Sequence, residues 1–362
     1  MATRRKRKES PVQQSEPANK IIRKHLLDSL SKVMPGISKR EIVEQTTHFN
    51  FTRTHIWADN DEIAVSQKFE SGINGSIKAQ EFYDLINKLP FDEIFIEQEE
   101  NKIKITDGQR FEASIKTVET IRQQNANPPE VNSKKWMKLP ENFTKAATFC
   151  VFSASRNMQQ PELCCIWFVQ DDDQAFAISC DGYRGTMFEL KGKVEKDFLL
   201  PASVAKHMNT YNPTKYMVEE NWMHFINNEH TVLSCRIIAG EYPEEAWDFF
   251  DVTGEKVQLP SGIIDVVKRA ETLVAAEFDQ DRVISLTFSD GELLCKGEGP
   301  LGSVKEKIEV PYKGDKTEIK VHPTLFADIA KYQSEVELGE RLKFTAEDFV
   351  HCVCQFVSDE EE

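Results

Sequence analysis

The sequence predicts an α+β protein made of three tandem copies of one unit, each about 120 residues long and each ordered helix, strands, helix, strands. Three observations carry this reading. A two-strand segment recurs three times in register. Two Leu-Pro pairs, Leu139-Pro140 and Leu259-Pro260, stand 120 residues apart. A pair of helix candidates recurs in the same order in every copy.

The recurring segments are "FDEIFIEQEENKIKITDGQRFEASI" after Pro90, "KYMVEENWMHFINNEHTVLSCRII" from Lys215 and "SEVELGERLKFTAEDFVHCVCQF" from Ser334. Each alternates apolar and polar residues on both sides of a short polar turn, the pattern of a half-buried hairpin. Ile103, Met223 and Leu342 hold the same place in the three copies, at spacings of 120 and 119 residues, and Ile105, Phe225 and Phe344 hold the next inward place. A short helix candidate precedes each segment: "AQEFYDLINKL", "PASVAKHMNTY" and "HPTLFADIAKY". Leu85 with Leu89 and Phe326 with Ile329 supply the apolar spacing. Each copy opens on another helix candidate: "NKIIRKHLLDSLSKV", "LPENFTKAATFCVFSAS" and "LPSGIIDVVKRAETLVA". In the first, Ile22, Leu26, Leu30 and Val33 form an apolar stripe, and proline in the first turn of the other two suits a helix start. The expected organisation is a basic tail (1–18), three domains (19–133, 134–253, 254–356) and an acidic tail (357–362), with linkers near 123–135 and 249–256.

At 362 residues, with 40% hydrophobic and 29% charged residues, the chain reads as a soluble multidomain protein. No run approaches the ~18 apolar residues of a membrane span. The opening "MATRRKRKES" lacks the apolar stretch of a signal peptide. A cytoplasmic location and no membrane partner are expected. The eight cysteines include "CC" at 164–165 and "CVC" at 352–354 inside apolar runs. Their spacing fits neither a zinc site nor a disulfide framework, so free core thiols are expected. The net charge of -15 excludes a protein that coats nucleic acid with its whole surface, but not one that keeps cations on a single face. The basic cluster Arg4–Lys8 could touch DNA or a partner.

Several chemical signals fail on context. "GEGPLG" (297–302) has the Gly-x-Gly-x-x-Gly spacing, yet "SVKEKIEVPY" behind it alternates like a strand and offers a phosphate no helix N-terminus. "DDD" (171–173) lies between two strands and reads as a hairpin turn. "NFT" (142–144) would be a glycosylation acceptor only in a secreted protein. The eight histidines are scattered singly, and no clustered carboxylates suggest a nuclease. No catalytic residue, metal or cofactor is expected. "AISCDGYRGTMFEL" (177–190) is a strand end meeting a turn, with no helix behind it to aim amides at an anion.

The ordered set of motifs resembles the bacterial sliding clamp, the beta subunit of DNA polymerase III, from about Asn19 to Phe356. "GSIKAQEFYDLINKLP" with "GQRFEASI" resembles the family's first-domain passage. "SCDGYRG" stands where the family has Thr-Asp-Gly-His-Arg-Leu. "AGEYPEEAW" resembles the Gly-x-aromatic-Pro turn that ends the second domain, and "KRAETLVAAEF" and "FVHCVCQF" fall at third-domain places. The clamps of eukaryotes and archaea, with two such domains per chain, resemble it less. The resemblance implies a homodimeric ring of six domains, sheets outside and helices lining a hole for duplex DNA. It would be a processivity factor that docks polymerase and clamp-loader peptides in a hydrophobic groove. The alternative is a clamp-like scaffold that does not encircle DNA.

Carried over by position, the groove would be lined by Leu163, Cys180, Gly182, Tyr183, Arg184, Gly185, Pro243, Trp247, Asp248, Val350 and Cys352. Four of these depart from the family: Tyr183 for histidine, Gly185 for a large aliphatic, Trp247 for arginine and Cys352 for methionine. These departures fit a groove adapted to its own partner motif, as in a phage-encoded or otherwise divergent replication system. The cations on or just beyond the inner helices would be Lys20, Arg23, Lys24, Lys39, Arg40, Lys88, Lys145, Arg156, Lys206, Lys268 and Lys331. Loose phosphate contacts of this kind leave a ring free to slide. The protomer joint would bring Thr272 and Leu273 against the "RFEASI" strand at Phe111 and Ala113.

Overall fold

The computed structural model describes residues 19–121, 133–274 and 281–356. Both tails (1–18 and 357–362) and most of the first linker lie outside these residues. Among the described residues the helices are α1 (Arg23–Val33), α2 (Ala79–Lys88), α3 (Phe143–Cys150), α4 (Ala202–Ala205), α5 (Met208–Tyr211), α6 (Ile263–Glu271) and α7 (Pro323–Ala330). Every pairing between the described strands is antiparallel, so the helices lie beside sheets and not in crossovers between parallel strands.

The chain forms two compact units, residues 1–138 with 210–236, and residues 139–209 with 237–362. The first unit contains a four-stranded sheet ordered Asn19–Ile22, Glu93–Glu99, Lys102–Thr106, Glu112–Lys116. Its eight-stranded sheet runs Gly75–Lys78, His48–Thr52, His55–Asp59, Ile63–Lys68, Val232–Arg236, Trp222–Ile226, Lys215–Val218, Met137–Lys138. The second unit repeats the plan. Its eight strands run Phe198–Pro201, Cys165–Asp171, Gln174–Cys180, Arg184–Leu190, Phe349–Cys354, Arg341–Thr345, Glu335–Leu338, Glu255–Gln258. Its four-stranded sheet is ordered Gly302–Glu309, Glu292–Gly299, Ile284–Ser289, Thr317–Val321. Each long sheet therefore joins strands of two successive sequence repeats, through Leu233 opposite Val65 in one and Gly185 opposite Cys352 in the other. The second repeat contributes to both units. Pairing across the repeat boundary satisfies strand edges that would otherwise stand open.

The repeat landmarks occupy equivalent strands. Ile103, Ile105, Met223, Phe225, Leu342 and Phe344 are all buried in the second strand of their hairpins. The Leu-Pro pairs also keep one geometry, with the Phe143 amide donating to the Pro140 carbonyl (3.1 Å) and the Ile263 amide to the Pro260 carbonyl (3.2 Å). The helices begin at the far ends of those turns, three residues later than the prolines suggested.

Other expectations need correction. Asn19–Ile22 is a strand paired with Glu93–Glu99, so Ile22 leaves the α1 stripe, which Leu26, Leu30 and Val33 form without exposure. "PASVAKHMNTY" makes two single turns, α4 and α5, in place of one helix. The second linker is packed: Phe250 and Val252 are buried, and Glu255–Gln258 pairs with Glu335–Leu338. The Asp171–Gln174 turn closes a hairpin, as expected, and the Gly299–Gly302 turn closes another, followed by the expected strand.

Candidate functional site

The "SCDGYRG" turn joins strands Gln174–Cys180 and Arg184–Leu190, with Cys180 opposite Gly185. Its geometry rests on two residues. Asp181 accepts from the amides of Tyr183 (3.0 Å) and Arg184 (2.9 Å) through one carboxylate oxygen. Gly182 sits at φ +87°, a left-handed conformation that side chains disfavour. The turn presents Tyr183 to solvent at 45% exposure.

Alternation along Arg184–Leu190 then separates two faces of the sheet. Arg184, Thr186 and Phe188 share the helix side. There Phe149 of α3 meets Phe188 (5.8 Å between ring centres), Phe349 (4.5 Å) and Tyr332 beyond α7 (5.1 Å). Arg184 is not a groove wall, contrary to the position-by-position expectation. Its guanidinium pairs with Asp181 (3.3 Å) and with Asp328 of α7 (3.2 Å), and lies 5.2 Å from the centre of the Phe152 ring. It braces the turn to the helical layer. Behind it, His351 Nδ1 and the Thr186 hydroxyl are 2.8 Å apart, Thr186 and Ser153 2.6 Å, and the His351 ring stacks on Phe152. Burial, and then the Arg184 charge, hold the His351 imidazole neutral, down to about 3.

The opposite face carries the groove candidates. Cys180, Gly185 and Cys352 form one row across three strands. Leu163, Trp247 and Val350 pack half-buried around a core that includes Cys352, Tyr242 and Phe250. Burial raises the Cys180 thiol to about 11 and the Cys352 thiol to about 12, so both act as neutral apolar groups. Pro243 starts the Glu244–Ala246 turn that delivers Trp247, and Asp248 follows it at the surface. Gly182 and Tyr183 lie at the rim, joined to the last strand by the Cys354 amide donating to the Tyr183 carbonyl (2.8 Å) and the Cys354 thiol donating to the Gly182 carbonyl (3.5 Å). The structure thus brings together ten of the eleven groove residues, with Arg184 on the far side.

Five residues outside the expected groove set shape this face. Phe249 covers Gly185, because a β-carbon there would stand 2.9 Å from its ring. Arg341 clamps the covering turn, its guanidinium 4.7 Å from the Phe249 ring centre and donating to the carbonyls of Asp248 and Phe249 (both 3.4 Å). Trp167 stacks on Tyr242 (5.6 Å, 19°), and Trp247 meets Trp167 edge-on at 6.0 Å and Phe176 at 5.4 Å. Trp167 was signalled only by its place in the alternating "CCIWFVQ" strand. A cavity of about 650 Å³ opens beside these rings, lined by Trp167, Val169, Gln170, Asp171, Glu244, Glu245, Trp247 and Asp248.

The candidate cations divide into two groups. Lys20 is on a strand, not a helix, and pairs with Glu93 (2.8 Å). Arg23 is spent on backbone, donating to the carbonyls of Phe91 (2.8 Å) and Asn87 (3.3 Å) near the end of α2. Lys145 pairs with Asp348, and Lys331 with Asp328 (3.1 Å). Lys24, Lys39, Arg40, Lys88, Arg156, Lys206 and Lys268 are exposed and form no ion pair among the described residues. Lys39 and Arg40 lie in the loop after α1 and Arg156 in the loop after α3; the others are on helices or at their ends.

Of the joint candidates, Phe111 and Ala113 flank the start of Glu112–Lys116, an outermost strand of its sheet whose Ala113 and Ile115 are half-buried. Thr272 and Leu273 follow α6, which packs beside Gly302–Glu309, the corresponding outermost strand of the second unit. That second open edge was not foreseen.

Neither a protein-family model nor a curated protein matches the chain. Its fold has clear counterparts, and they are bacterial DNA sliding clamps. The chain is similar to the sliding clamp (DNA polymerase III subunit beta) of Bartonella birtlesii, solved with griselimycin, at TM-score 0.80 and 15% identity, over 94% of this chain and 100% of that one. It is similar to the DNA polymerase beta subunit of Streptococcus pyogenes at TM-score 0.79 and 17% identity, covering 94% and 99%. The DNA polymerase III beta subunit of Thermotoga maritima gives TM-score 0.79 and 14% identity, covering 95% and 100%. The chain has the sliding-clamp fold over about 94% of its length.

Proposed function

We propose that the chain is a non-enzymatic DNA sliding clamp, in which two copies close around duplex DNA and dock replication proteins on the groove of the second unit. The observation that carries this reading is the likeness in fold to sliding clamps over 94% of this chain and nearly the whole of theirs. Three features support it. The outermost strands Glu112–Lys116 and Gly302–Glu309 offer open edges for a joint between copies, with Phe111, Ala113, Thr272 and Leu273 beside them. Exposed cations outside any ion pair among the described residues lie on the helices or in the loops beyond them, suited to loose phosphate contact. The face around Trp247, Leu163 and Val350 keeps half-buried apolar side chains of the kind a short peptide covers. We also read the three repeats as three domains with the boundaries inferred from sequence.

The deciding measurement is the solution mass by light scattering over a concentration series, followed by retention on circular duplex DNA. A two-chain mass, with retention that survives high salt and is lost when the DNA is linearised, is the expected result. Retention that does not depend on a closed circle would overturn encirclement and leave the scaffold reading.

A further inference from the structure

The cavity beside the groove has a chemistry that an apolar peptide does not use. Its walls include the two tryptophans Trp167 and Trp247, and its mouth carries Asp171, Glu244, Glu245 and Asp248. Some acidic side chains elsewhere on this protein are met by cations, among them Glu93 by Lys20, Glu306 by Arg269, Asp348 by Lys145, and Asp328 by Arg184 and Lys331. None of the four at the cavity forms an ion pair among the described residues. The nearby Arg341 holds the carbonyl of Asp248 and stacks on Phe249, and so leaves the Asp248 carboxylate uncompensated. Aromatic faces with free carboxylates around them suit a cation that brings its own apolar stem, above all a guanidinium. The cavity also shares Trp247 and Asp248 with the groove, so one short chain segment can occupy both.

We propose that the cavity is a specificity subsite for an arginine (or lysine) of the partner peptide, placed next in sequence to the apolar residues that fill the groove. This rests on the peptide-docking reading above and adds the partner's charge to it. The bound cation lays its stem along Trp247 and Trp167 and sets its charge among the Glu244, Glu245 and Asp248 carboxylates. A partner motif for this protein is therefore apolar with a basic flank, and an acidic flank is rejected by like charge.

The test uses the full-length protein and three synthetic peptides that share a Leu- and Phe-containing core and carry an Arg-Arg, Ala-Ala or Glu-Glu flank. Binding is followed by tryptophan fluorescence at low and moderate salt. The expected result is that the Arg-flanked peptide binds about tenfold tighter than the Ala-flanked one, with the Glu-flanked peptide weakest. The double variant E244Q/E245Q removes most of the difference while keeping Ala-peptide affinity, because these exposed carboxylates belong neither to the fold's packing nor to the groove. Equal affinity for all three flanks overturns this inference but leaves peptide docking standing. Absence of binding by any peptide overturns the docking reading itself. A parallel titration with residues 1–18 removed closes the last route: if Arg-peptide affinity rises, the cavity's occupant is the chain's own Arg4–Lys8 segment, and the partner assignment falls.

Discussion

Two residues of the sheet that carries the candidate groove, one on each of its faces, lend themselves to direct test. Gly185 is small because Phe249 occupies the space above it. Gly185→Ala should overpack the site and cost about 1–3 kcal/mol, measured as a fall in the urea midpoint. Gly185→Ala combined with Phe249→Leu should recover part of that loss, whereas strictly additive losses would show that the two do not share the space. His351 gives a pH signature. Its folded imidazole protonates only near 3, against an ordinary histidine in the unfolded chain. The unfolded state therefore takes up a proton first as pH falls, and the contribution is present above about pH 6.5 and drains away between there and pH 3. His351→Gln should be less stable at neutral pH, having lost the ring packing on Phe152. Its unfolding free energy should nonetheless fall less steeply between about pH 6.5 and 4, by up to about 1.4 kcal/mol per pH unit. A parallel pair of curves would exclude His351 as the source of acid sensitivity.

At the scale of elements, the proposed ring would be joined at the outermost strands. Ile115 and Leu273 are half-buried, so a joint between copies would finish burying them. Ile115→Asp or Leu273→Asp would place an unpaired carboxylate in that joint. The expected outcome is a fall in light-scattering mass from two chains to one at micromolar concentration, with the unfolding transition of each chain retained. A dimer that survives both substitutions would move the joint elsewhere. The helices matter differently. Each lays its apolar side on a sheet, as Leu26, Leu30 and Val33 do in α1, and leaves its charged side free. Several of those charges are already neutralised locally, which distinguishes Lys145 and Lys331 from Lys88 or Lys268.

For the whole molecule, that distinction becomes a statement about DNA. Charge reversal at Lys24, Lys88, Arg156, Lys206 and Lys268 should lower the slope of log affinity against log salt by about 0.9 for each phosphate that no longer meets a cation. Reversal of Lys20 and Arg23 should leave the slope nearly unchanged, because Glu93 and the carbonyls near the end of α2 already engage them. Equal effects of the two sets would mean that DNA meets a different surface. With a net charge of -15, the proposed approach of duplex would be favoured only where cations cluster.

The repeat, the antiparallel hairpins and most helix positions were legible in the amino-acid sequence, because periodicity and turn chemistry are local. The buried places of Ile103, Met223 and Leu342 follow from alternation alone, and the same local logic reads the Asp181-Gly182 turn correctly. What tertiary structure alone decided is everything set by pairing between distant strands. Sheets that run through the repeat boundaries, Arg184 turned to α7 by a one-residue change of face, and Phe249 filling the space above Gly185 all depend on register across more than 60 residues of chain. Asn19–Ile22 shows the competition most plainly, since its apolar spacing continues α1 but hydrogen bonds to Glu93–Glu99 draw it into a sheet. Local propensity is a preference of tenths of a kcal/mol per residue, and a strand partner that satisfies a row of backbone groups outweighs it.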